Sequence, residues 1–210
     1  MVKADEQREH DGIDYKGENS MLRRTTVKIR YPAIGICGLS CRLCPRYHTK
    51  GESKCGGCKS RLRMTVGCPF ITCAVKRKAI EFCWDCQENR TCIRWNAHRE
   101  FGKKHDTFVC YQKLEDDILF VQKNGIGKFE KLQKIREKLL KEMLLEFNEG
   151  RSKNYYCIAV SMLEIDGVKK ALSEAIQRTK GLRVEEKSRV LHSILDDAVK
   201  AKHFGIRLRK

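Results

Sequence analysis

Residues 37–45 read "CGLSCRLCP", with Cys37, Cys41 and Cys44 at a C-x3-C-x2-C spacing. This stretch decides how the first half of the chain folds, because sulfur at such density serves either as a metal ligand set or as a source of disulfides. Twelve cysteines occur among 210 residues, eleven of them between positions 31 and 112. The N-terminal "MVKADEQREHDGIDYKGENS" has no apolar core of the kind that directs export. The expectation is therefore a cytoplasmic protein whose cysteines bind metal in preference to pairing as disulfides.

Working outward, Cys41-x2-Cys44 and Cys55-x2-Cys58 are spaced as two zinc knuckles. Each C-x2-C turn brings two thiolates to one ion, and a second pair completes a tetrahedron. Gly56 and Gly57 suit such a turn, since the backbone must swing its N–H groups toward sulfur. Cys83-x2-Cys86, with Cys68 and Cys73 ahead of it, supplies a second four-sulfur set, leaving Cys37 and Cys92 spare or exchanging with other ligands. Sequential pairing is the simplest arrangement, and an interleaved one is equally compatible with the spacing. About two zinc ions are expected.

The opening spacing is also the one by which radical S-adenosylmethionine enzymes hold an iron–sulfur cluster. Those enzymes continue into a barrel of alternating strands and helices, and no series of βα units follows here. Cys44-Pro45 is a Cys-Pro step of the kind that ends bacterial ferredoxin runs, so an iron–sulfur cluster is the alternative to zinc. Cys83-Trp84-Asp85-Cys86 as a dithiol redox pair would need a βαβ context, which is absent from the pattern.

Composition sets the frame. Apolar residues make up 41% and charged residues 34%, which excludes wholesale disorder. No run of about twenty apolar residues exists, so no membrane span is expected. The formal net charge of +17 would fall to about +13 with two four-thiolate zinc sites, and still favours nucleic acid or an acidic protein as partner. Basic residues cluster at 59–63, 76–78 and 99–105, with Trp84, Trp95 and Phe101 interspersed. Cations on a metal-ordered scaffold grip phosphates, and aromatic faces stack on bases.

Residues 1–30 form a polar tail, in which Met21 is a candidate second start of translation. From about Gln112 the pattern turns helical. In "KFEKLQKIREKLLKEMLLEF" (128–147), Phe129, Leu132, Ile135, Leu139, Leu140, Met143, Leu144 and Phe147 recur at helical spacing. Glu130–Lys134 and Glu137–Lys141 add supporting pairs, and Asn148 with Gly150 supplies a stop. A helix is expected to start near Asn154, with an interruption at Asp166 or Gly167. The helix then resumes to Gly181, and a last one over Val184 to Phe204 turns Val190, Leu191, Ile194, Leu195, Ala198 and Val199 inward. The expected fold is a small metal-stabilised cysteine-rich domain with little regular structure (31–112) joined to an all-α helical bundle (113–210). The cysteine-rich part has too few large apolar residues to fold alone.

Between two helices, "NEGRSKNYYC" (148–157) offers Arg151, Ser152 and Lys153 beside free helix N–H groups as an anion-site candidate; a plain turn capped by Ser152 or Asn154 is the competing account. Cys157 is expected to be a buried thiol, with His192 and His203 the histidines that could approach it from the last helix. "GIGK" (125–128) lacks the spacing of a P-loop. No His, Asp and Glu constellation stands out as catalytic.

The ordering "CGLSCRLCPRY", "CGGC", the Cys68–Cys73 step, "FCWDC" and "TCIRW" resembles a cysteine-rich, metal-binding domain-of-unknown-function family of anaerobic bacteria and methanogenic archaea. "EFNEGRSKNYYCIAVSMLE" (146–164) is similar to a helical extension in that family, so the resemblance spans roughly residues 35–165. It implies a cytoplasmic metal-binding domain of no established activity, with Cys37, Cys41, Cys44, Cys55, Cys58, Cys68, Cys73, Cys83, Cys86 and Cys92 at the matching positions. The expected function is a cytoplasmic zinc-binding protein with structural four-cysteine sites, acting as a binding or adaptor module with nucleic acid or an acidic protein as its partner. The alternative is an iron–sulfur redox protein or enzyme of anaerobic metabolism.

Overall fold

Helix α6 (Lys153–Met162) is the axis around which the second half of the chain is built, because Tyr155 through Val160 are all buried and no side of its middle faces water. In the computed structural model, residues 27–52, 54–104 and 113–200 are described. Most of the expected polar tail, Met21, Cys110, the boundary residue Gln112, and His203 and Phe204 lie outside the described residues.

Around α6 pack α5 (Ile126–Glu146) and α7 (Ile165–Arg178), and α7 in turn packs on α8 (Val184–Lys200). Their shared core contains Leu140, Met143, Tyr156, Leu163, Leu172 and Leu195. The amphipathic reading of α8 holds for Leu191, Leu195 and Val199, which are buried, while Val190, Ile194 and Ala198 are partly so. α5 stops where expected: Phe147 ends it, the Asn148 side chain accepts from Gly150 N (3.3 Å), and Gly150 takes φ 105°. The interruption before α7 falls at Leu163–Glu164, slightly earlier than expected, so Asp166 and Gly167 lie in the first turn of α7.

The buried face of α5 differs from the apolar stripe read in the sequence. Ile135 is 42% exposed, while the polar Gln133 and Glu137 are buried. The reason is the partner surface. The short 3-10 turn Cys41–Leu43 packs on both α5 and α6, and it presents Arg42 to α5. Arg42 pairs with Glu137 (2.6 Å) and Glu130 (3.3 Å), while Leu43 enters the bundle core. Glu130 and Glu137 also keep their Lys134 and Lys141 partners (3.6 and 2.9 Å).

The cysteine-rich part carries more regular structure than expected. It holds α1 (Arg61–Val66), α2 (Pro69–Ile71) running on as a π-helical turn through Arg77, and α3 (Ile93–Lys104). Among the described residues there is no β-strand, only an isolated antiparallel bridge between Ile34 and Ser40. One small cluster, Ile36, Met64, Ile71, Ala74 and Val75, belongs to this part alone. Two others are shared with the second half through α4 (Leu114–Asn124) and α5. Ile34 and Phe82 meet Val121 and Phe129, and Trp95 meets Leu114 and Ile118. A segment poor in apolar residues thus borrows the surface of its neighbours.

The two faces of α5 make a clean test. Leu140→Ala should cost about 2–5 kcal/mol by chemical denaturation, the range for a fully buried leucine. Ile135→Ala should stay within about 0.5 kcal/mol, as an exposed site does. Equal losses would put Ile135 in the core beside Leu140 and contradict its exposure.

Candidate metal centre

The first knuckle is shaped by backbone. Cys41 N donates to Ala33 O (2.8 Å) and Cys44 N donates to Cys41 O (3.1 Å), closing the turn that carries both sulfurs. The second knuckle is tied to it. Cys55 N donates to Arg46 O (2.9 Å), and Cys58 N donates to Cys41 Sγ (3.3 Å). Gly57 makes this approach feasible. It sits at φ 95°, and a Cβ there would lie 3.4 Å from Pro32 O and 3.6 Å from Cys41 Sγ. An N–H aimed at sulfur stabilises thiolate character, as knuckle ligands require.

Electrostatics group the sulfurs further. A hydrogen bond shared by Cys41 and Cys58 holds Cys58 down to about 7, against burial and with help from Arg63 and Lys59. The same bond, with burial, pushes Cys41 up. Burial raises Cys44, opposed by Arg46 and Tyr47 backbone bonds, with Cys55 and Cys58 as its charged neighbours. Cys41 and Cys58 are thus in contact, and Cys44 has Cys55 and Cys58 as charged neighbours.

A second neighbourhood centres on Cys83, pushed up to about 12 by burial and then by Cys37, Cys73, Cys92 and Cys86. Cys37, also pushed up to about 12 by burial, feels Cys58 and Cys68 as well. Cys92 thus stands beside Cys83, while Cys37 has charged neighbours in both sets, Cys41 and Cys58 as well as Cys68 and Cys83. Cys68 is set to the side: its sulfur accepts from Ile71 N (3.4 Å) and caps α2.

The donors suit a soft metal in kind, but they gather as pairs. Among the described residues, no group of three or more Cys, His, Asp or Glu side chains converges closely enough to hold a metal ion. The cysteines that the structure describes are all free of disulfides.

Two lysines stand against this sulfur. Lys78 Nζ lies 3.3 Å from Cys86 Sγ and 2.8 Å from Glu88. Lys59, expected on a basic surface, is instead buried. Its ammonium reaches Glu81 (2.8 Å) and Tyr31 O (3.2 Å) and lies 3.7 Å from the Phe82 ring centre. Glu81 also accepts from the backbone N–H groups of Arg30 and Tyr31 (3.1 and 2.8 Å). Burial lowers Lys59, and Glu81 opposes that shift, as do Cys41 and Cys58.

The remaining expectations resolve residue by residue. Trp95 is core, leaving Trp84 as the half-buried tryptophan, stacked on Phe82 at 4.3 Å and 13°. Arg99 is engaged by Glu115 in a two-pronged ion pair. Cys157 is fully buried and raised by burial, with Cys44 as a charged neighbour.

Arg151, Ser152 and Lys153 do not form a common anion cradle. Arg151 is exposed and Lys153 reaches Thr49 (3.2 Å). Ser152 is buried, makes no side-chain cap to α6, and donates to Glu149 (2.9 Å). A carboxylate already fills the place an anion would take. His192, considered for Cys157, meets Ser152 instead at 2.7 Å, and His203 lies outside the described residues. Sequence reasoning missed this cluster of Glu149, Ser152, Tyr155, Ser188, His192 and Asp196. Its signal was Ser188, His192 and Asp196 at four-residue steps, a polar row along α8 beside the apolar one.

Compared with protein-family models, with curated proteins and with solved structures, the chain matches none.

Lys59→Met should destabilise the protein by about 3–5 kcal/mol, because it strands a buried carboxylate. Adding Glu81→Gln should recover part of that loss in thermal or chemical unfolding. Strictly additive losses would show that the two side chains are not coupled.

Proposed function

We propose that the chain is a zinc-organised, cysteine-rich binding module whose basic surface grips single-stranded nucleic acid. The observation that carries the reading is a run without acid. Between Glu52 and Glu81 the sequence has seven basic residues and no acidic one. Lys54, Arg61, Arg63, Lys76 and Arg77 of this run are exposed. Nearby, a cleft of about 620 Å³ is lined by Tyr31, Trp84, Lys28 and Arg30 among others, which joins cations to an aromatic wall. Phosphate contacts supply affinity in such surfaces, and aromatic faces accept unstacked bases.

Zinc would be held first by Cys41, Cys44, Cys55 and Cys58, and a second ion by sulfurs from the set around Cys83. The ion's role is structural: a closed four-thiolate site cross-links the chain and contributes roughly 10–16 kcal/mol to folding by analogy with zinc-finger peptides. The family resemblance of the cysteine pattern supports a metal centre on the same positions. The iron–sulfur alternative draws less support. Cys44 has Cys55 and Cys58 as its charged neighbours, the pairing that a four-thiolate zinc site would use.

The test combines metal analysis with salt-dependent binding to single-stranded RNA. Protein purified without oxygen should carry about two zinc and no sulfide. Five phosphate contacts should give a slope of about −3.5 in log affinity against log salt, and Arg61→Gln with Arg63→Gln should reduce its magnitude by about 1.4. A slope near zero, or binding to an acidic protein alone, would overturn the nucleic-acid reading. Iron with matching sulfide would overturn the zinc.

A further inference from the structure

The cluster at the start of α6 lines a cleft of about 430 Å³ against α8. Its protons can be assigned by counting. The Glu149 carboxylate is acceptor-only, and it takes the hydroxyl protons of Ser152 (2.9 Å) and Ser188 (2.8 Å), one on each oxygen. A hydroxyl has one proton to give. Ser152 Oγ also meets Ser188 Oγ at 3.0 Å; with its proton on the Glu149 carboxylate, Ser152 accepts from His192 Nε2 at 2.7 Å, which puts the hydrogen of a neutral imidazole on Nε2. The lone pair of Nδ1 is then left over. Among the described residues Nδ1 has no hydrogen-bond partner, and the His192 ring lines the cleft.

The ring is also held in place. Tyr155 stacks on it at 4.0 Å with planes 14° apart, and the Tyr155 hydroxyl donates to Asp196 Oδ1 (2.5 Å). Asp196 follows His192 by four residues on α8, and among the described residues its second oxygen has no hydrogen-bond partner. Both acceptors are thus oriented by buried partners, the arrangement that preorganises a recognition site. Burial lowers the His192 pKa, which keeps Nδ1 an acceptor at neutral pH; Glu149 and Asp196 oppose that shift.

The charge around the cleft has the opposite sign to the whole chain. Glu149, Asp196 and Asp197 face Arg189 and Lys200, and Lys200 is drawn to Asp197 (3.6 Å). A locally acidic, acceptor-rich pocket on a chain of formal charge +17 selects a ligand that donates hydrogen bonds and carries positive charge. An anion would meet mainly acceptors. We propose that this cleft binds an organic cation, a primary ammonium or guanidinium group, with His192 Nδ1 and the Asp196 carboxylate as its acceptors.

The test uses the full zinc-loaded chain with nitrogen-15 histidine, read by long-range proton–nitrogen spectra. The free protein should show His192 as the Nε2–H tautomer. Agmatine, which carries both cationic groups, should move the Nδ1 resonance saturably. His192→Gln and Asp196→Asn should each weaken that binding about tenfold or more. Asp196 is exposed, so its variant keeps the test valid if the histidine variant unfolds. A parallel titration with a capped Gly-Arg-Gly peptide separates the two sources of the cation. Saturation by agmatine alone means a small free cation, and saturation by both means the side chain of a partner protein. An Nδ1–H tautomer, no saturable shift with either probe, or unchanged binding in Asp196→Asn would overturn the proposal.

Discussion

The ion pair between Arg42 and Glu137 is the constraint on which the rest of the structure depends. Arg42 stands between Cys41 and Cys44, so the turn that presents two sulfurs is pinned to α5 by the residue between them. Both charges are largely withdrawn from water, and such a pair holds geometry strictly because removing either partner strands the other. Burial pushes the Glu137 carboxyl up, but hydrogen bonds from Lys141 and Arg42 outweigh it and leave it below the usual range. A carboxylate so depressed stabilises the fold at neutral pH and gives up that contribution as acid protonates it. His48 Nε2, 2.6 Å from Arg42 O, braces the same turn from outside.

That joint explains what the amino-acid sequence disclosed and what it did not. The helices of the second half were legible, because Phe129, Leu140, Met143 and Phe147, and later Leu191, Leu195 and Val199, repeat at helical spacing and Asn148-Gly150 ends a run. The rotation of α5 was not legible. Periodicity marks apolar faces, whereas α5 buries Gln133 and Glu137 against a polar neighbour from residues 41–43. Lys59 and Trp95 misled for related reasons. A lysine in a basic run reads as surface until Glu81, fifty-one residues from Arg30 and twenty-two from Lys59, is known to gather both. The turn from Cys41 to Cys44 and the left-handed Gly57 were readable from C-x2-C and Gly56-Gly57, since that backbone chemistry is local. The cluster of Ser152 and His192 is forty residues apart in the chain and depends on how α6 meets α8.

Charge follows one logic through the molecule. The chain is strongly basic, yet its cations are divided by role. Lys59 and Lys78 are spent against sulfur and carboxylate, where they offset negative charge that metal binding would develop. Lys54, Arg61, Arg63, Lys76 and Arg77 remain on the surface, available to phosphate. Around the cleft between α6 and α8 the sign reverses locally, with Glu149, Asp196 and Asp197 outnumbering Arg189 and Lys200. Basic surface and acidic pocket are thus carried by different parts of the chain.

The cysteine-rich part and the helices share apolar surfaces and should therefore fold as one unit. Native-state hydrogen exchange on the full chain addresses this directly. The amides of Cys44 and of the α5–α6 core should open with the same free energy, and Arg42→Met should lower both together. Exchange of the cysteine-rich amides at a separate, lower free energy, with α5 to α8 still protected, would contradict it.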